Sequence, residues 1–109
     1  MSTQFDPTRP LRFGFLLLPR YSMIAVSSAI EPLRMANQLD GQRYYDWIVL
    51  TFNGEPLVAS NGICMQPDAD IRSAGRLDFL FVCGGLDVRL SCDQQLVDWL
   101  RVTAWTLLP

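Results

Sequence analysis

Apolar residues fall into dense runs separated by turn-forming residues, and the runs follow two different periods. Leu11–Leu18 is apolar almost throughout and stops at Pro19, which predicts a short strand buried on both faces. Ser22 stands at a helix N-cap, and Val26, Ile30, Leu33, Ala36 and Leu39 follow at helical spacing toward Gly41. Pro32 lies inside that pattern; it removes a backbone donor and predicts a kink near Ser28. Tyr44–Phe52 is rich in aromatic and β-branched residues and reads as a second strand, closed by Asn53 and Gly54. Leu57–Ser60 and Ile63–Met65 flank Asn61-Gly62, a strong hairpin signal, so a small β-hairpin is expected around 57–66. Asp68–Ile71 reads as a short extended piece before the Ser73–Gly75 turn. Phe79–Val82 is a further buried strand, running through Cys83 into Gly84 and Gly85. Ser91–Gln94 matches a capping box, with Leu96, Val97, Leu100 and Ala104 on one face of the helix it opens.

The order strand, helix, strand, hairpin, strand, helix predicts an α/β fold with a mainly parallel sheet and helices on its faces. We expect a loose leader over 1–10, a partial α/β domain over 11–104 and an atypical tail over 105–109. In open sheets of this kind ligands bind beyond the carboxyl ends of the strands. The loops there are Pro19–Ser22 and Cys83–Asp87. The next strand and turn, which would complete such a site, do not follow in the sequence. The chain is therefore expected to carry the front half of a site and to leave one sheet edge uncovered, prone to dimerisation or aggregation.

Composition narrows the chemistry. Half of the 109 residues are apolar and 18% are charged, enough for a packed core in one domain and against disorder. The nine cations are all arginines, scattered along the chain, and the net charge is −2; no basic stripe is present for DNA. Histidine is absent, which removes Ser-His-Asp and Cys-His pairs from within the chain. Three cysteines, Cys64, Cys83 and Cys92, have no Cys-x-x-Cys spacing, so neither structural zinc nor a disulfide framework is expected. No cofactor is implied. No membrane-length apolar run is present and no signal peptide is seen, so a cytoplasmic location is expected.

Four motifs occur in order: Phe13–Ser22, Glu31–Asn37, Ala59–Gly62 and Phe81–Gly85. Together they resemble the amino-terminal domain of AraC-type transcriptional regulators, which is similar to the ThiJ/PfpI, class I glutamine-amidotransferase-like fold. The resemblance covers roughly residues 11–104. It implies a flavodoxin-like three-layer sandwich, here incomplete at its carboxyl-terminal end. It also implies a domain that senses a small nitrogenous metabolite, such as an amino acid or quaternary amine, and contributes to a homodimer. DNA contact belongs to a separate helix-turn-helix domain that this sequence does not contain. Enzymes of the superfamily carry a catalytic cysteine on an elbow one strand beyond Cys83, and a glutamate on the first helix. Ala25 or Met23 stands where that glutamate is expected, and no carboxylate lies between Pro19 and Ile30.

The site residues expected on these grounds are Tyr21, Ser22, Asn61, Gly84, Gly85 and Leu86, all for ligand binding, with no catalytic residue and no metal. Gly84 and Gly85 let backbone amides turn toward a ligand as an anion cradle, or they make a tight turn and nothing more. Asn61 is fully explained as a turn residue, with ligand contact the minor reading. Cys83 reads as an apolar filler, and Cys92 as an inert residue at a helix start despite the thiol activation such a position allows. Glu31 and Arg34 are expected to pair on the helix surface. Tyr44, Tyr45 and Trp47 suggest an aromatic cage for a quaternary ammonium, but core packing explains them better. Three functions remain open: a non-catalytic sensor segment, a fragment of a ThiJ/PfpI-type hydrolase or amidotransferase-like enzyme without its nucleophile, and a stand-alone dimerisation module.

Overall fold

The computed structural model describes residues 9–85, together with Asp98. The predicted helix over 91–104, Leu86 and Cys92 lie outside the described residues. Within them the order is β1 (Leu11–Leu17), α1 (Met23–Asp40), β2 (Tyr45–Thr51), β3 (Leu57–Val58), β4 (Cys64–Met65), β5 (Ala69–Asp70) and β6 (Phe79–Cys83). Four strands form a parallel sheet in the order β5-β2-β1-β6, and β3 with β4 forms a separate antiparallel hairpin. The mainly parallel α/β architecture is the one the alternation predicts.

β1 is central, and its parity sorts the core into two layers. Leu16 and Leu18 pack with Leu50, Ile71 and Ala74 on one face, joined by Ile48, Leu77 and Leu80. Leu17 packs with Tyr21, Val26 and Ala59 on the other, joined by Ile30, Val49 and Cys83. α1 thus covers the second face. Phe13 and Phe15 share the parity of Leu17, and their rings stack on Phe79 and Phe81 of β6, at 5.0 Å for Phe13–Phe79 and 5.4 Å for Phe15–Phe81.

Two expectations are corrected. β6 is not a buried strand: it is the edge of the described sheet, and Phe79, Phe81 and Val82 are 42%, 46% and 43% exposed. An apolar run marks a strand but not its position in the order. Leu39 is not on the inner face of α1; it is 84% exposed. Each three-residue step turns a helix about 60° short of a full circle. Three such steps, through Leu33 and Ala36, carry Leu39 well away from Val26. α1 continues as one helix through Pro32.

Helix α1 starts on Ser22, whose hydroxyl accepts a hydrogen bond from the Ala25 amide, and ends at Gly41 in the left-handed conformation (φ 63°). Its last turn is tied to β2 by Asn37. The Asn37 side-chain oxygen accepts from the amides of Tyr44 (2.9 Å) and Tyr45 (3.1 Å), and its Nδ2 donates to the Tyr45 carbonyl (2.9 Å). Asn37→Ala leaves these half-buried backbone groups without partners and is expected to lower stability by about 2 kcal/mol in urea denaturation. At the start of β1, Arg12 plays a similar part. Its guanidinium donates to the carbonyls of Ala74 and Arg76, and its backbone exchanges hydrogen bonds with Asp78. This fixes the 73–78 segment ahead of β6.

Candidate functional site at the carboxyl ends of β1 and β6

The parallel strands β1 and β6 end side by side, and five of the six expected site residues meet there. The Leu18 amide donates to the Cys83 carbonyl (3.0 Å) and the Ser22 amide to the Gly84 carbonyl (3.0 Å), while Tyr21 and Gly85 form an antiparallel bridge. Asn61 reaches the same place from the hairpin. Its Nδ2 donates to the Met23 sulfur (3.6 Å), and its side-chain oxygen accepts from the Ile63 amide (2.9 Å). Leu86, the sixth, lies outside the described residues.

Gly85 has a packing requirement of its own. A Cβ built there would overlap the Arg20 carbonyl oxygen. The turn reading of Gly84-Gly85 therefore has a concrete cause in the close passage of the Pro19–Ser22 loop. That loop is itself unusual: Arg20 has φ 59°, the one non-glycine residue at positive φ among those described, a conformation costing about 1 kcal/mol or more. No feature of the sequence marks Arg20 for this role.

The hairpin closes over the loop from the other side. The Arg20 amide donates to the Val58 carbonyl (3.1 Å) and the Ser60 amide to the Tyr21 carbonyl (2.8 Å), and β3–β4 is continued by the Ala59 amide donating to Ile63 (2.9 Å). No sequence signal marks Val58 and Ser60 as neighbours of the site. Asn61-Gly62 marks the hairpin, but nothing local states what it docks against.

Tyr21 sits under this clasp and is fully buried, and its hydroxyl has no hydrogen-bond partner among the described residues. Burial, with a smaller effect of the neighbouring Cys64, raises its pKa above the ordinary tyrosine value. Cys83 packs against the same cluster, and burial pushes its thiol up to about 11. A thiol so raised is neutral at physiological pH and a poor nucleophile, as its filler role requires. At pH 8, iodoacetamide is expected to label exposed Cys64 well before Cys83 in the folded chain, as read by peptide mass spectrometry. The linkage has a definite sign. The unfolded thiol ionises near 9 and the folded one near 11, so Cys83 makes stability fall between those values and has no effect below them.

Glu31 and Arg34 pair on the exposed side of α1, and Arg34 also donates to the Gln38 side chain. Tyr45 packs edge-on against Phe13, with ring centroids 5.8 Å apart, and the Tyr44 hydroxyl donates to Asp40. These aromatics serve packing and the α1–β2 corner. Among the described residues no cluster of His, Cys, Asp or Glu suits a metal ion, and no helix is long and apolar enough to cross a membrane.

No family model matches the chain. It is 41% identical over 95 residues to the HTH-type transcriptional regulator GbdR of Pseudomonas aeruginosa, a match that takes in 87% of this chain and 26% of that protein. The chain therefore spans about a quarter of the length of that curated relative. Among solved structures it is similar to an AraC family transcriptional regulator from Pseudomonas putida, with TM-score 0.75 and 28% identity over 89% of this chain and 60% of that one. It also matches a ThiJ/PfpI family protein from Pseudomonas syringae, with TM-score 0.62 and 16% identity over 92% of this chain and 43% of that one. That last likeness concerns the fold.

Proposed function

The homologues of this chain are AraC-type transcriptional regulators, and from that premise we propose that it is the ligand-sensing part of such a regulator, non-catalytic and cytoplasmic. The ligand is a small nitrogenous metabolite, an amino acid or quaternary amine, held where β1 and β6 end. DNA contact belongs to another part of the longer regulator. The observation that carries this reading is the convergence of Tyr21, Ser22, Asn61, Gly84 and Gly85 on one end of a parallel sheet. A ligand there bears on the hairpin, the first turn of α1 and β6 together. It shifts the populations of arrangements that the rest of a paired regulator reads out.

Catalysis finds little support. The chain has no histidine and α1 has no acidic residue in its first turn, and the Cys83 thiol is held neutral. Pairing of two copies is part of the proposal, with the exposed Phe79, Phe81 and Val82 of β6 as the contact. Sedimentation at micromolar concentration is expected to show a self-associating species that Phe81→Ser weakens; a monodisperse wild-type monomer would count against pairing. For sensing, the test is a panel of amino acids and quaternary amines at millimolar concentration in thermal denaturation. At least one compound is expected to raise the melting temperature by several degrees, since a ligand at a hundred times its Kd stabilises by about 2.7 kcal/mol. A panel with no active member would remove the sensing reading.

A further inference from the structure

The Tyr21 hydroxyl is the one buried side-chain polar atom without a partner among the described residues. Leaving such a group buried and unpaired costs a fold stability, and phenylalanine would fill the same space without that cost. It lies at the carboxyl end of β1 among apolar residues, in a cluster that includes Val26 and Met23 from the first turn of α1. Three bonds hold the hairpin over it: Arg20 amide to Val58, Ser60 amide to Tyr21, and Asn61 to Met23. Two of them end on the loop that carries Tyr21, and the hairpin strands themselves are only two residues each. The clasp is thus a small element with few bonds, placed over an unmet polar group.

Charge in the surrounding segments has one sign. Phe13–Ile30, Pro56–Pro67 and Phe79–Gly85 contain no acidic residue and a single charged one, Arg20. The first turn of α1, whose N-terminus carries the positive end of the helix dipole, likewise has no acid. These segments present no acidic side chain to an anion entering here, and the phenol is able to donate a hydrogen bond to it.

We propose that the β3–β4 hairpin is a displaceable cover and that the Tyr21 hydroxyl beneath it is the hydrogen-bond donor for a carboxylate group of the ligand. This rests on the sensing reading and adds to it the recognised group and the moving element. Because the hydroxyl is sealed in the free chain, a bound carboxylate lifts the hairpin and breaks the Arg20–Val58 and Ser60–Tyr21 bonds.

The test uses the chain itself with acetate as probe, following amide exchange of Arg20 and Ser60 by NMR. Saturable acceleration of both amides, at least tenfold, is expected with acetate and not with tetramethylammonium. Tyr21→Phe is expected to melt no lower than the wild type and to need at least ten times more acetate for the same response. No acceleration by acetate, an equal response in Tyr21→Phe, or a response to tetramethylammonium alone would each overturn the proposal. A clearly lower melting temperature for Tyr21→Phe would do so as well, by giving the hydroxyl a structural role. Each of these results leaves the sensing reading to its metabolite panel, which does not depend on acetate or on Tyr21.

Discussion

Gly85→Ala is expected to destabilise the chain by about 3 kcal/mol, at the upper end of what overpacking costs. The added methyl would meet the Arg20 carbonyl, a backbone atom held by the loop's own bonds to Cys83, Gly84 and Val58. Side-chain rotation cannot relieve such a clash; either β6 or the Pro19–Ser22 loop has to move. Gly14→Ala is the informative comparison. Its Cβ would approach the Leu77 Cδ1 at 2.7 Å, but that is the movable end of a side chain, so a smaller loss of about 1 kcal/mol is expected. Urea denaturation of the two variants measures both values. A Gly85→Ala loss no greater than that of Gly14→Ala would show that the loop yields easily. Because the overlap sits at the site, Gly85→Ala is also expected to abolish the melting shift given by any active metabolite.

Phe15→Ala carries the second large effect, a loss of about 4 kcal/mol. Phe15 is fully buried at the middle of the central strand, and its ring stacks on Phe81 at 5.4 Å. Phe81→Ala removes the other ring of the same pair, but that ring is nearly half exposed already. In the monomer, below the concentration at which copies pair, its loss scales with the smaller area taken out of water and is expected near 1 kcal/mol. The contrast tests the place of β6 at the edge of the sheet. If both variants lost equally, Phe81 would be covered in solution, and self-association would be the first cause to examine.

The elements were legible in the sequence because each has a local cause. Ser22 caps a helix, Gly41 ends it, and Asn61-Gly62 turns a hairpin whatever surrounds them. The faces were less legible. Leu39 is apolar and three residues beyond Ala36, yet accumulated rotation carries it into solvent. The exposure of Phe79 and Phe81 depends on where β6 stands in the strand order, which no local pattern contains. At the site, Tyr21, Ser22 and Gly85 could be named because loops after parallel strands converge. What could not be read was the third component. Val58 and Ser60 reach the loop through main-chain atoms, and main-chain bonding between distant segments leaves no residue-type signature. Arg20 is hidden for a related reason, since its backbone angle is imposed by the two elements that grip it.

The bridge between Tyr21 and Gly85 also governs when the site comes into being. β1 and β2 are joined through one helix, and the hairpin closes on its own short turn, Ser60–Gly62, so both can form from nearby chain. The β1–β6 pairing instead brings together residues 66 apart, as in the contact of Arg12 with Asp78. Closing so long a loop is entropically costly and kinetically slow. Among the described pairings, that of β1 with β6 is therefore expected to form last, and with it the proposed ligand end of the sheet. A nascent chain is thus expected to hold its helix and hairpin before the proposed site exists.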